Sequence, residues 1–258
     1  MFFPLMKSLD FEGFTSIVYE PPNNWENRIS SPIFLYALWP SGGTWKTHPL
    51  FQLTRGESVV ITTSDLPAGA LESSLALIYP SACELKSELM ELPSKRTWVS
   101  HTPPWRNTSG FKSQTAQTSY QAEIEPFPEK ATLLTFHPFI QFGAVHNFLL
   151  TLNVTRIPDV ISKTLMIIDS RSKTMLDKIE IHTNSLTTIP LDKYGFRPDD
   201  LPIFYSPDMA AIPFGLGVSL DGKMLSLEHT HPPASLVLFG ERNKAQGMIK
   251  RNWIESFK

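Results

Sequence analysis

The sequence predicts an all-β protein: two tandem antiparallel β-sandwich-like units, related by internal duplication, followed by a C-terminal α-helix. Apolar residues recur at every second position in several stretches, the period of a strand with one buried face. The 22 Pro and 13 Gly favour strands joined by punctuated loops. Two distant stretches also end alike, Val99-Ser100-His101-Thr102-Pro103-Pro104 and Leu227-Glu228-His229-Thr230-His231-Pro232-Pro233. The predicted boundaries are 1–110 for the first unit, 111–121 for a linker, 122–240 for the second unit and 241–258 for the helix.

In the first half, Phe34 to Pro40 reads as a strand, then Leu50 to Leu53, then Glu57 to Leu66. The stretch Glu84 to Leu92 is ambiguous, because Leu85, Leu89 and Leu92 have helical spacing while the repeat demands strand. Pro103-Pro104 ends the first unit, and the polar, aperiodic segment Arg106 to Gln121 reads as the linker. In the second half, Phe148, Leu150, Leu152 and Val154 alternate with Leu149, Thr151, Asn153 and Thr155 and are expected to face inward. Lys178-Ile179-Glu180-Ile181-His182-Thr183 alternates without error. Asp221-Gly222 between Leu216–Leu220 and Lys223–Glu228 predicts a tight two-residue hairpin. Ala245, Met248, Ile249, Trp253 and Phe257 have helical spacing, which predicts an amphipathic helix over 243–257 docked on the sheets.

Laying the halves together pairs Phe34 with Phe148, Leu50 with Met175 and His101 with His229. The separations grow from 114 to 128, which predicts insertions in the second copy.

Hydrophobic residues make up 41% of the chain, enough for packed cores and too many for a disordered chain. A formal charge of −2 gives no reason to expect nucleic acid as a partner, and no run reaches the roughly 18 apolar residues of a membrane span. Cys83 stands alone, so no intrachain disulfide framework is expected. The N-terminal segment lacks the pattern of a signal peptide, so the default location is cytoplasmic. The N-glycosylation patterns at Asn107 and Asn153 are then chance matches.

His229 and His231 share one face of an extended strand, a workable way to place two imidazoles on a divalent transition metal. With Gly222 upstream, this arrangement resembles the first half of a cupin metal motif. The family's next ligands have no counterpart, since Ser235 and Leu236 stand where a Glu belongs and no His follows His231. A third ligand would have to come from His101, His137, His146 or His182. The structural reading makes His229 an anchor for the strand exit, bonded to backbone without a cofactor. Cys83 has no nearby base, and no Gly-X-Ser-X-Gly elbow occurs.

Aromatic residues in Pro- and Gly-flanked loops supply the other candidates. Trp45 and Trp105, each beside a cation (Lys46 or Arg106), suit stacking on a sugar or anchoring a protein. The leading functional expectation is therefore a non-catalytic binding or assembly module. It would recognise a glycan or protein partner through inter-strand loops, with self-association into homo-oligomers as its assembly form. The alternative is a metal-dependent enzyme centred on His229 and His231.

Overall fold

The computed structural model describes residues 1–20, 32–94, 105–121, 123–136, 140–229, 248–249 and 251–256, without the side chains of residues 134 and 136. The chain forms two compact units, one of Met1–Glu125 with Arg156–Asp159, the other of Pro126–Thr155 with Val160–Lys258.

The first unit contains β1 (Phe3–Met6), β2 (Glu12–Tyr19), β3 (Ile33–Ser41), β4 (Thr44–Leu53), β5 (Ser58–Thr62), β6 (Leu75–Ser81), β7 (Glu88–Leu89), β8 (Trp105–Lys112) and β9 (Gln117–Tyr120). They form two sheets ordered β1-β6-β3-β4-β7 and β5-β2-β8-β9. The second unit contains β10 (Leu133–Phe136), β11 (Val145–Asn153), β12 (Ser162–Asp169), β13 (Thr174–His182), β14 (Ser185–Pro190), β15 (Pro202–Ser206), β16 (Ile212–Ser219) and β17 (Leu225–His229). Its sheets are ordered β10-β15-β12-β13 and β14-β11-β16-β17. Neighbouring strands are antiparallel throughout.

Apart from the short β7, the two strand orders correspond one for one. Each unit sends its second strand to the middle of one sheet and its third to the middle of the other. Apart from the paired neighbours β3–β4, β8–β9, β12–β13 and β16–β17, the chain crosses between sheets from one strand of this common order to the next. The shared face is the core. In the first unit Leu5, Ile17, Leu35, Ile61, Ile78 and Trp105 meet there, drawn from both sheets. In the second, Leu149, Leu165, Ile167, Ile181, Ile189 and Phe204 do the same. At about 25 cal/mol per Å² of apolar surface, burying such a side chain contributes roughly 1.5–3 kcal/mol.

Several expectations change. The predicted linker is not one: residues 106–121 carry β8 and β9, and the unit boundary falls at Glu125/Pro126. Polar, aperiodic sequence fits these strands because β8 buries Asn107 and Ser109 on the core side and exposes Arg106 and Thr108. The strand of Phe34 takes the place of β12, not of β11; Leu50 and Met175 do lie on corresponding strands, β4 and β13. His229 lies on β17, whose counterpart is β9, so it does not match His101, which is outside the described residues.

The extra length also sits in the first unit. Leu75 and Pro202, which open β6 and β15, are 127 residues apart, whereas Trp105 and Ile212, which open β8 and β16, are 107 apart. The ambiguous Glu84–Leu92 stretch holds β7, which pairs Leu89 with Trp45.

Two further details differ. Leu149, not Leu150, faces the core from β11, and Leu150, Leu152 and Val154 are fully buried on the opposite face. Alternation identified the strand, but both faces are covered, so it could not identify the core side. The Asp221-Gly222 turn is longer than two residues: Ser219 N–H donates to Met224 O at 3.0 Å, and only Gly222 has a positive φ, +68°.

The C-terminal helix covers 251–255, with the rest of the expected span partly outside the described residues. It docks Ile254 against Ile168, Ile203 and Tyr205, on the sheet face opposite the core. Among the described residues no helix is long and apolar enough to cross a membrane.

Phe204 is fully buried in the second core. Phe204→Ala should cost about 3–5 kcal/mol, read as a fall in the denaturant midpoint by circular dichroism.

Candidate functional site

The tryptophans expected at the surface are inside. Trp45, 1% exposed, is the second residue of β4, and its Nε1–H donates to Arg156 O at 2.9 Å. Trp105, 2% exposed, opens β8 in the first core and stacks on Tyr19 at a centroid distance of 5.7 Å. Gly42 and Gly43, which flanked Trp45 in sequence, form the β3–β4 turn with φ of +59° and +74°. The flanking Gly and Pro thus mark strand ends, and the rings belong to the strands. Arg106 is exposed and donates from Nη1 to Trp105 O, but no accessible ring stands beside it from either Trp. These residues do not form the expected contact surface.

His229 is half-buried on β17, on the face of Leu225 and Leu227, and meets Phe214 edge-on at 5.9 Å. His231, His101 and His137 lie outside the described residues. Among the described residues no group of three or more His, Cys, Asp or Glu side chains is placed to hold a metal ion. Asn107 and Asn153 are both buried in strands, so neither glycosylation pattern is accessible in the folded chain.

A concave site lies elsewhere, at one end of the second unit. Its cavity, about 190 Å³, is lined by Ile140, Gln141, Phe142, Val145, Leu191 and Phe196, with Asn147, Asp192, Gly143 and Gly195. Two inter-strand segments build it: the loop entering β11 and the 3-10 turn Asp192–Tyr194 that follows β14. The buried Asn147 clamps the first. Its Oδ1 accepts Gln141 N–H at 2.7 Å and its Nδ2 donates to Gln141 O at 2.9 Å. The Gln141 side chain donates to Ser226 Oγ and crosses Gly217, where an added Cβ would stand 2.7 Å from both partners. A side chain at 217 would therefore displace the Gln141–Ser226 contact.

Asp192 ties the second segment to β11. Oδ1 accepts Asn147 N–H at 2.9 Å, and Oδ2 lies 2.7 Å from His146 Nδ1. Leu191 N–H donates to Asn147 O at 2.8 Å. Partial burial pushes the Asp192 carboxyl upward, but the Asn147 amide and the His146 ring outweigh it and hold the group below the usual carboxylate range. Gly195, at φ +60°, lets the chain reverse so that Phe196 returns to the cavity and stacks on Tyr194 at 5.4 Å. Phe142, 46% exposed, stands at the mouth.

The lining therefore has apolar walls, two aromatic rings and one ionised side chain. None of these residues was singled out in the sequence. The available signal was Phe142-Gly143 and Gly195-Phe196, two aromatic–glycine pairs of the kind that drew attention to the tryptophans. The comparisons with protein-family models, curated proteins and solved structures found no match to this chain.

Two measurements check this placement. Trp105→Ala should cost about 3–5 kcal/mol, whereas Trp45→Phe should cost only about 0.5–1.5 kcal/mol. The second cost is small because Phe keeps most of the buried ring and Arg156 O still accepts Leu92 N–H at 2.9 Å after the indole N–H is lost. Equilibrium unfolding of the two variants tests both. Asp192 has a folded pKa below its unfolded value, so its contribution is present above the unfolded pKa and is lost as pH falls through the folded one. Melting temperatures of wild type and Asp192→Asn should differ near neutral pH and converge as pH falls through and below the ordinary carboxylate range.

Proposed function

We propose that this chain is a non-catalytic recognition module that engages a protein partner through the end loops of its second unit. The observation that carries this reading is the loop-built cavity with its exposed Phe142, apolar walls and single oriented carboxylate. Among the described residues its lining has no hydroxyl, thiol or amine side chain. The His146–Asp192 pair has the form of a base with its orienting carboxylate, but among the described residues no nucleophile on the lining completes it. A side chain of a protein suits the cavity better than a sugar. Sugar hydroxyls need several donors and acceptors around them, whereas Ile140, Phe142, Val145, Leu191 and Phe196 supply none from their side chains and the Asn147 amide is engaged at both ends by Gln141.

We also infer that the two units descend from one duplicated sandwich. The matching strand orders support this, and the extra residues between β6 and β8 would be an insertion in the first copy. In this reading one copy kept a closed end and the other opened its end loops for binding.

The test is binding to parallel peptide and glycan arrays by wild type and by Phe142→Ala. This exposed substitution should leave the melting temperature unchanged. Peptide binding at least about tenfold weaker in the variant is the expected result. Peptide binding indifferent to Phe142 would move the working surface elsewhere. A glycan hit lost in the same variant would reassign the partner's class.

A further inference from the structure

Resting on that reading, we infer that the cavity selects an alkylated ammonium group, presented as the methylated lysine side chain of the partner. Among the described residues of the lining Asp192 is the one charged side chain, and its nearest basic neighbour is the His146 ring, 2.7 Å away. The nearby Lys193 is turned to another anion, with Nζ 3.1 Å from Asp177 Oδ2 and 4.8 Å from the centroid of the Tyr194 ring. Asp192 Oδ1 accepts the Asn147 backbone N–H and Oδ2 faces the His146 ring, and an ionised carboxylate has about four lone-pair sites in all. The carboxylate is thus fixed in orientation while keeping capacity to attract a guest.

The walls decide which cation fits. Phe142 and Phe196 are aromatic members of the lining, and an aromatic quadrupole attracts positive charge to the ring face. Ile140, Val145 and Leu191 offer no acceptor from their side chains. A guanidinium would bring five N–H donors and a bare ammonium three, most of which these walls would leave unpaired. Methylation removes donors and spreads the charge over a surface that apolar and aromatic walls can cover. The charge is then met by one carboxylate and two rings. An anionic guest would face the Asp192 carboxylate.

Calorimetric titration of the full chain tests the inference. The probes are N-acetyl-trimethyllysine amide, its unmethylated lysine analogue, choline, and 3,3-dimethylbutan-1-ol, the uncharged carbon analogue of choline. Trimethyllysine and choline should bind in the millimolar range. The unmethylated and uncharged analogues should bind at least about tenfold more weakly, as should the cations to Asp192→Asn or Phe142→Ala. Melting curves keep folding separate from binding, and the carbon analogue needs no variant at all.

Equal affinity for choline and its carbon analogue would overturn the charge argument. Absence of cation binding at tens of millimolar, with Phe142-dependent peptide binding retained, would overturn this inference and leave the recognition reading standing. Loss of both would remove that reading as well. Asp192-dependent binding to phosphatidylcholine vesicles, with no binding to a trimethyllysine peptide, would overturn lysine as the source of the group.

Discussion

Burial of the face shared by two sheets is the constraint on which the other features depend. Each strand must give alternate residues to that face, so a polar residue there has to find its partners inside the sandwich. In the first unit Thr15, Asn107 and Ser109 solve this among themselves: Asn107 Nδ2 donates to Thr15 Oγ1 at 2.7 Å, and the two hydroxyls lie 2.8 Å apart. In the second, Asn153 Nδ2 donates to Ala210 O at 2.6 Å while its Oδ1 accepts Asn184 N–H at 3.0 Å. Leaving such a group unpaired would cost about 1–3 kcal/mol, comparable to the gain from burying a whole aliphatic side chain. The polar residues on the core face are therefore fixed points, and Asn147 obeys the same rule with a loop as its partner.

That rule separates the ends of the two units. Phe14 pairs with Thr62, the last residue of β5, and Phe148 pairs with Pro190, the last residue of β14, so Gly13 and Asn147 occupy corresponding positions. A Cβ on Gly13 would stand 1.9 Å from Met6 O, because the backbone leaving β1 lies directly against it. In the second unit the same position carries a side chain that reaches Gln141 and holds the incoming loop by both ends of its amide. At Gly13 the backbone leaving β1 packs where a side chain would stand, whereas at Asn147 the side chain holds a loop that lines a cavity.

The sequence made the strands legible where period two ran clean, as in Lys178 to Thr183, where Ile179 and Ile181 do face the core. It failed where both faces are buried, as in β11, because alternation then no longer marks inside from outside. Loop aromatics were overread for a related reason. Gly and Pro mark where a strand begins, and Trp45 and Trp105 stand at or next to the first residue of theirs. The cavity was illegible because its parts meet only in three dimensions. Asp192 and His146 are 46 residues apart and joined by a hydrogen bond that no spacing rule announces.

The energetics of such a site set what kind of recognition it can support. A cation–π contact contributes about 0.5–1 kcal/mol when exposed and about 2 kcal/mol or more when desolvated. An ion pair at 4 Å has a Coulomb energy of about 4 kcal/mol at an effective dielectric of 20, before desolvation is subtracted. Asp192 is partly open to solvent and already shares its oxygens, which lowers that figure. The sum is a few kcal/mol, and 4.1 kcal/mol corresponds to about 1 mM. If the proposed reading holds, a small cavity at the end of a sandwich would read the identity of one group, while tight binding would require additional surface from the flanking loops or several such contacts on one partner.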